Sequence, residues 1–297
     1  MKFKEFLAEA KPKIIEIKDN KKLAEMLMEN VNHEFLKTWA NNDKKINYLF
    51  RGSSTTYKRT IVRTSINEKT PRKSANTSNE FTLLQSNLLP SWKDWPKRNQ
   101  SFVCTNDFNR ATDYSWGGAV YMVFPFNDPD IAICPAKDIW FSFKSLNHSD
   151  IDEFNDWLNQ IRSYLYDEEK LKISDMDTIN DLKEFIKCYN ENLPLIEKFL
   201  NKKLTYQGII DLKNAIGLPS LKSKDLLKTL NDVFDPNKNE FKKVKFSEFW
   251  KQKKLNTNPG HECWFSGTAI FLSAEFLGLN GKKGFDGPVK NIILKEL

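Results

Sequence analysis

The run Gly260-His261-Glu262-Cys263-Trp264-Phe265-Ser266-Gly267-Thr268-Ala269-Ile270-Phe271-Leu272 constrains the fold more than any other stretch of this chain. It is apolar on both sides of a Gly-Thr turn, too short for two helices and rich in residues that favour strands, so it predicts two adjacent antiparallel strands. Side chains alternate along a strand, which puts Glu262, Trp264 and Ser266 on one face and Cys263 and Phe265 on the other. A carboxylate thus opens a strand that the rest of its sequence marks for burial.

The remaining pattern predicts an α+β chain. Residues 3 to 40 read as two helices, with Phe6, Leu7 and Ala10 leading toward Ile14 and Ile15, and Leu23, Met26, Leu27 and Val31 recurring at helical spacing. After the breaker Asn41-Asn42-Asp43, Ile46 to Phe50 reads as a strand running into Arg51-Gly52-Ser53-Ser54. Residues 59 to 79 are polar and read as a long loop, a length usually tied to function or disorder. Asn79 to Leu89 regains helical spacing, and Ser101 to Cys104 forms a second strand. A short helix over Asn106 to Tyr114, capped by Asn106 or Asp107, ends at Gly117-Gly118. Ala119 to Pro125 and Ile131 to Cys134 read as strands joined by the turn Asn127-Asp128-Pro129-Asp130. Residues 149 to 230 are dominated by helical spacing.

Composition sets the outer limits. With 297 residues and 40% hydrophobic content the chain can bury a sizeable core. Its net charge of +7 suits a phosphate-bearing ligand, nucleic acid or an acidic partner, but the lysines are scattered and select none of them. Cys104, Cys134, Cys188 and Cys263 lack CxxC spacing, so neither a zinc site nor a disulfide framework is expected, and buried reduced thiols are. His33, His148 and His261 are too few and too separated to hold a metal. The first residues lack the apolar core of a signal peptide, and no apolar run is long enough for a membrane span, so a soluble intracellular protein is expected.

An arginine at the end of one strand, a hydroxyl-bearing strand followed by a short helix, and a glutamate-led strand with a Gly-Thr turn occur in that order. This order resembles the mono-ADP-ribosyltransferase fold of the arginine-serine-glutamate class. The stretch from Arg72-Lys73-Ser74-Ala75-Asn76 through Leu89-Pro90-Ser91-Trp92-Lys93-Asp94-Trp95-Pro96-Lys97-Arg98 to Thr105 is similar to predicted transferases of tailed bacteriophages. The resemblance covers residues 46 to 143 and 258 to 273. It implies a split, mostly antiparallel sheet forming an NAD⁺ cleft. The implied division is an N-terminal helical segment (1–45), two parts of the transferase-like domain (46–143 and 246–297) and a helical insertion (144–245).

The resemblance also implies roles. Arg51 would fork onto an NAD⁺ phosphate with two charge-assisted hydrogen bonds, and Gly52 would let ligand approach the backbone. Glu262 would hydrogen-bond the 2′-hydroxyl of the nicotinamide ribose and stabilise charge as the glycosidic bond loosens. The family's Ser-Thr-Ser motif falls on Cys104-Thr105-Asn106, which keeps only the central hydroxyl, so Ser101 or Thr105 would brace Glu262. Tyr114 could stack on nicotinamide, and Arg72 and Arg98 could join the phosphate site or bind an acidic acceptor. Where arginine-modifying members carry Glu or Gln, two residues before Glu262, this chain has Gly260, so arginine is not singled out as acceptor. His261 between them should face away from the Glu262 side.

NAD⁺ is then substrate rather than resident cofactor, and no metal is implied. The acceptor would be a host protein or nucleic acid, and the setting the host cytoplasm or, if packaged, the virion. Two other readings compete. One is a catalytically inactive transferase-fold protein serving as a virion or binding component. The other is a basic nucleic-acid-binding module using Arg59, Arg63, Arg72 and Arg98, with Trp92, Trp95 and Trp116 as a stacking platform.

Overall fold

A computed structural model of the chain describes residues 14–42, 46–54, 60–64, 79–144, 151–203, 225–252, 260–279 and 284–297. The chain divides into two units. The first comprises Met1–Pro71, Gln100–Lys137 and Lys242–Leu297, and the second Arg72–Asn99 and Asp138–Phe241.

The first unit holds a nine-stranded antiparallel sheet: β1 (Ile14–Glu16), β2 (Leu49–Ser53), β3 (Thr60–Thr64), β4 (Phe102–Thr105), β5 (Ala119–Pro125), β6 (Asp130–Ile133), β7 (Lys242–Lys245), β8 (Glu262–Phe265) and β9 (Thr268–Ser273). Their order across the sheet is β1-β3-β9-β5-β2-β4-β8-β6-β7. The α+β class and the antiparallel sheet agree with expectation, as does the strand pair around Gly267. Two sequence readings are corrected. Ile14 and Ile15 lie in β1, paired with Val62 and Arg63, rather than in a helix, because the β-branched Ile-Ile pair suits a sheet edge. Thr60-Ile61-Val62-Arg63-Thr64, taken as loop because it is flanked by polar residues, pairs with β9 along its whole length as β3.

The sheet folds over on itself. Between β2 and β4 only Phe50 and Thr105 are register partners, whereas β2 pairs with β5 over five residues. β9 and β4 are three strand spacings apart in the sheet, about 14 Å if it were flat. Yet the Phe102 ring of β4 lies 5.0 Å from that of Phe271 of β9, edge to face, and 5.5 Å from Phe265. Tyr121 packs on Phe271 from β5, and the Arg63 guanidinium lies 5.9 Å from the Phe102 ring centre. The two halves of the sheet thus close on an aromatic interior and part where β2 meets β4.

Helices numbered along the chain cover the opposite face of the β5–β9 half. In α1 (Asn20–Asn30), Leu23, Ala24 and Leu27 are buried, and Asp19 caps the first turn by accepting from the Lys22 amide. In α2 (His33–Ala40), Phe35 and Trp39 press edge-on against Phe124 of β5, at 5.6 and 5.0 Å. Both pack beside the C-terminal helix, Gly287–Glu296 (α11), whose Val289 and Ile293 are buried. At the far edge, among the described residues, β7 pairs only with β6. It exposes Lys242, Lys243 and Lys245, the last ion-paired with Asp130 at 3.0 Å.

The second unit is helical: α3 (Glu80–Asn87), α5 (Ile151–Asp167), α6 (Ile179–Glu191), α7 (Leu193–Lys203) and α8 (Leu226–Val233). The first unit contributes the remaining helices, α4 (Phe108–Asp113), α9 (Phe246–Phe249) and α10 (Ala274–Leu277). The helical block is therefore wider than the 144–245 segment read from sequence, because it also takes residues 72–99. Phe81 explains the recruitment: its ring sits 5.0 Å from Phe234 and 5.3 Å from Phe143, deep among the block's aromatics. Trp92 belongs to the same core. It is 3% exposed, packs on Phe241 and donates from Nε1 to the Phe234 carbonyl at 2.7 Å.

All four cysteines are free and buried. Burial, with Cys104 and Glu262 adding to it, holds the Cys263 thiol well above its ordinary range, and burial also raises Cys188. An unfolded chain ionises these thiols at a lower pH than the folded one, so their contribution to stability is complete below the ordinary thiol pKa and lost as pH rises above it. The expected result is that a thiol reagent at pH 8 labels the native protein far more slowly than the denatured chain. Fast native labelling of Cys263 would contradict its placement. Truncation of Phe102 to alanine should cost about 3–5 kcal/mol by urea unfolding, since it removes the ring that joins the two halves of the sheet.

Candidate active site around Glu262

Glu262 opens β8 directly opposite Thr105, the last residue of β4. The ladder defines the kind of pair they form. The Asn106 amide donates to the His261 carbonyl at 3.3 Å, and the Glu262 carbonyl accepts from Cys134 on the other side, at 2.9 Å. Thr105 and Glu262 are therefore a pair without mutual backbone bonds, the closer of the two antiparallel arrangements, with Cα atoms about 4.5 Å apart. Both are buried, at 1% and 4% exposure. Of the two hydroxyls proposed to brace the carboxylate, Thr105 lies directly opposite Glu262 in the ladder. Ser101 lies on the same face but about 13 Å away along the strand, opposite Ser266. The two serine hydroxyls bond to each other there at 2.8 Å, so Ser101 steadies the β8–β9 turn.

The short segment after β4 ties the site together. The Thr105 hydroxyl accepts from the Asp107 amide at 3.2 Å. The Asn106 side chain accepts from the His261 amide at 2.7 Å. Asp107 Oδ1 accepts from the Arg110 amide at 2.8 Å, so Asp107 is the residue that caps α4. His261 is buried and turned away, donating from Nδ1 to the Cys134 carbonyl at 2.7 Å, which is the structural role expected of it.

Gly260 has a specific reason. A Cβ there would overlap the Cβ of Asp107 and come within 2.8 Å of Asn106 Oδ1. A glutamate at this position is therefore sterically blocked by the residues that follow β4. Gly52 has a similar reason. Its missing Cβ would overlap the Ala111 carbonyl and lie 2.6 Å from the Ser115 amide, so α4 and its C-terminal turn occupy the space once assigned to a ligand.

Arg51 is held differently from Glu262. Phe50 is the partner of Thr105 across the split, which places Phe50, Thr105 and Glu262 in one row on one face. Arg51, the next residue, turns to the other face, in register with Tyr121. Its Nη1 donates to the Val103 carbonyl where β2 and β4 part. Burial lowers its pKa, with Cys104 partly opposing and Arg63 adding to the shift. The sheet thus brings the arginine, hydroxyl and glutamate strands side by side without putting Arg51 and Glu262 on a common face.

Tyr114 follows α4, 37% exposed, with the Arg110 guanidinium 4.6 Å from its ring centre. Arg98 belongs to the helical unit, where it is 5% exposed in a 3-10 turn. Arg72 and Arg59 lie outside the described residues. Among the described residues no group of histidine, cysteine and acidic side chains could hold a metal ion, and no helix is long and apolar enough to cross a membrane. Comparisons with protein-family models, curated proteins and solved structures found no match. The site therefore rests on its own geometry.

Sequence reasoning missed the parts played by Asn106 and Asp107 beside Glu262. The signal available was the order Thr-Asn-Asp, three short side chains that bond readily to nearby backbone, placed between a strand and a helix. The clash at Gly52 predicts that Gly52→Ala destabilises the protein by about 1–3 kcal/mol in chemical denaturation, because the obstructing atoms are backbone. An unchanged midpoint would show that α4 can move aside.

Proposed function

We propose that the chain cleaves the bond between nicotinamide and ribose in NAD⁺ and passes ADP-ribose to a host protein or nucleic acid, as mono-ADP-ribosyltransferases do. The observation that carries this reading is the buried pair Thr105–Glu262, with the strands of all three motifs adjacent in the order β2-β4-β8. Those strands are far apart in sequence, so their adjacency is a property of the fold and not of local spacing. A carboxylate fixed beside a hydroxyl in a water-poor site stabilises positive charge more than one in bulk water, because the low dielectric strengthens the attraction. In this reading Glu262 faces the ribose as the glycosidic bond lengthens, and Thr105 limits its rotation. Phosphate binding by Arg51 gains no support from a guanidinium bonded to Val103 on the other face.

That placement of Arg51 favours a second reading, an inactive protein of transferase-like fold acting as a binding or virion component. The nucleic-acid reading has less support. Trp92 is in the core of the helical unit and Arg98 is buried, while Arg63 lies over the Phe102 ring.

Nicotinamide release from NAD⁺ separates these readings. The wild-type protein should release nicotinamide, and Glu262→Gln should lower turnover by about 10²–10³-fold with much less effect on ground-state binding. A folded wild-type protein that releases none, with host lysate supplying acceptors, would leave the inactive fold as the answer.

A further inference from the structure

Gly260 and Asp107 together point to a second carboxylate at this site. Position 260 precedes Glu262 by two residues, just outside β8, and continuing the strand's alternation would put a side chain there on the Glu262 face. That place is taken, because a Cβ on residue 260 would come within 2.3 Å of the Cβ of Asp107. Asp107 reaches it from just past the end of β4, held by two hydrogen bonds of its own and one of its neighbour. Its amide donates to Thr105, its Oδ1 accepts from the Arg110 amide, and Asn106 beside it is bonded to His261. Glu262 is buried, whereas Asp107 is only half-buried, and among the described residues the one hydrogen bond to its carboxylate is the one Oδ1 accepts from Arg110. The two acids thus differ in surroundings. One is enclosed next to Thr105, and the other stands half-buried just past the end of β4.

We infer that Asp107 is the general base that accepts the proton of the attacking nucleophile, an inference that rests on the NAD⁺ reading above. The bond between C1′ of the ribose and the nicotinamide nitrogen breaks, and its electron pair leaves with nicotinamide. The lone pair of the acceptor forms the new bond to C1′. The acceptor's proton passes to Asp107 Oδ2 and from there to solvent. Glu262 keeps its negative charge throughout, opposite the developing positive charge. A carboxylate base held within reach of the nucleophile contributes about 10²–10⁴-fold to such a step.

The test uses NAD⁺ hydrolysis by the full chain, water being the acceptor. Asp107→Asn retains an Oδ1 to cap α4, and a melting temperature near that of the wild type would confirm that the fold is kept. Nicotinamide release should fall about 10²–10⁴-fold in this variant. Sodium azide, a nucleophile with no proton to lose, should restore release in Asp107→Asn and give the ribosyl azide, while leaving Glu262→Gln inactive. Release by Asp107→Asn at the wild-type rate, or a loss that azide does not repair, would overturn the assignment. A wild-type protein without any release would instead overturn the NAD⁺ reading, and the role of Asp107 with it.

Discussion

The packing of the Phe102 ring on Phe271 and Phe265 organises the sheet unit. An open antiparallel sheet of nine strands would leave one broad apolar face without cover. Here the sheet supplies its own cover, because the β4–β8 half turns back onto the β5–β9 half and both bury aromatic rings in the seam. The turn has to be made somewhere, and it falls between β2 and β4, where the ladder narrows to a single register pair. Backbone groups released at such a split need new partners. The Val103 carbonyl finds one in Arg51, a long side chain that can follow the divergence of the strands.

The candidate site inherits its properties from that split. Thr105 marks the last point at which β2 and β4 are joined and also the residue opposite Glu262. Beyond it the chain leaves the sheet through Asn106 and Asp107 and enters α4 at once, so the ends of two strands and the start of a helix meet around one carboxylate. Burying a carboxylate is costly unless hydrogen bonds compensate it. Thr105, Asn106 and Asp107 turn their side-chain oxygens to backbone amides of the same corner, which fixes the chain around that carboxylate.

Much of this was legible from residues alone. The Glu262 strand and its partner announced themselves through an apolar run broken by Gly267, and the short helix after Thr105 through its capping aspartate. The class of fold followed from strand patterns near both ends and helical spacing between. What could not be read was long-range. Nothing in Thr60-Ile61-Val62-Arg63-Thr64 itself names β9 as its partner, so a strand looked like a loop. Ser101 and Thr105 have the same parity, and only the register tells which of them faces Glu262. Residues 72–99 seemed continuous with the sheet until Phe81 and Trp92 were found in the core of the helical unit. Gly52 and Gly260 stood out as glycines, but their cause lies in atoms contributed from elsewhere in the chain.

The outermost strand β7 has a bearing on how these molecules behave in a crowd. A sheet edge carries unpaired amides and carbonyls, and another copy's strand can dock on them. The exposed side chains of Lys242, Lys243 and Lys245 lie on that strand of only four residues, with Lys245 ion-paired to Asp130. A strand approaching there must bring its own backbone beside these lysines, and an identical edge arriving from a second molecule would set lysine against lysine. Edge-to-edge growth of the sheet is therefore discouraged at this side by charge.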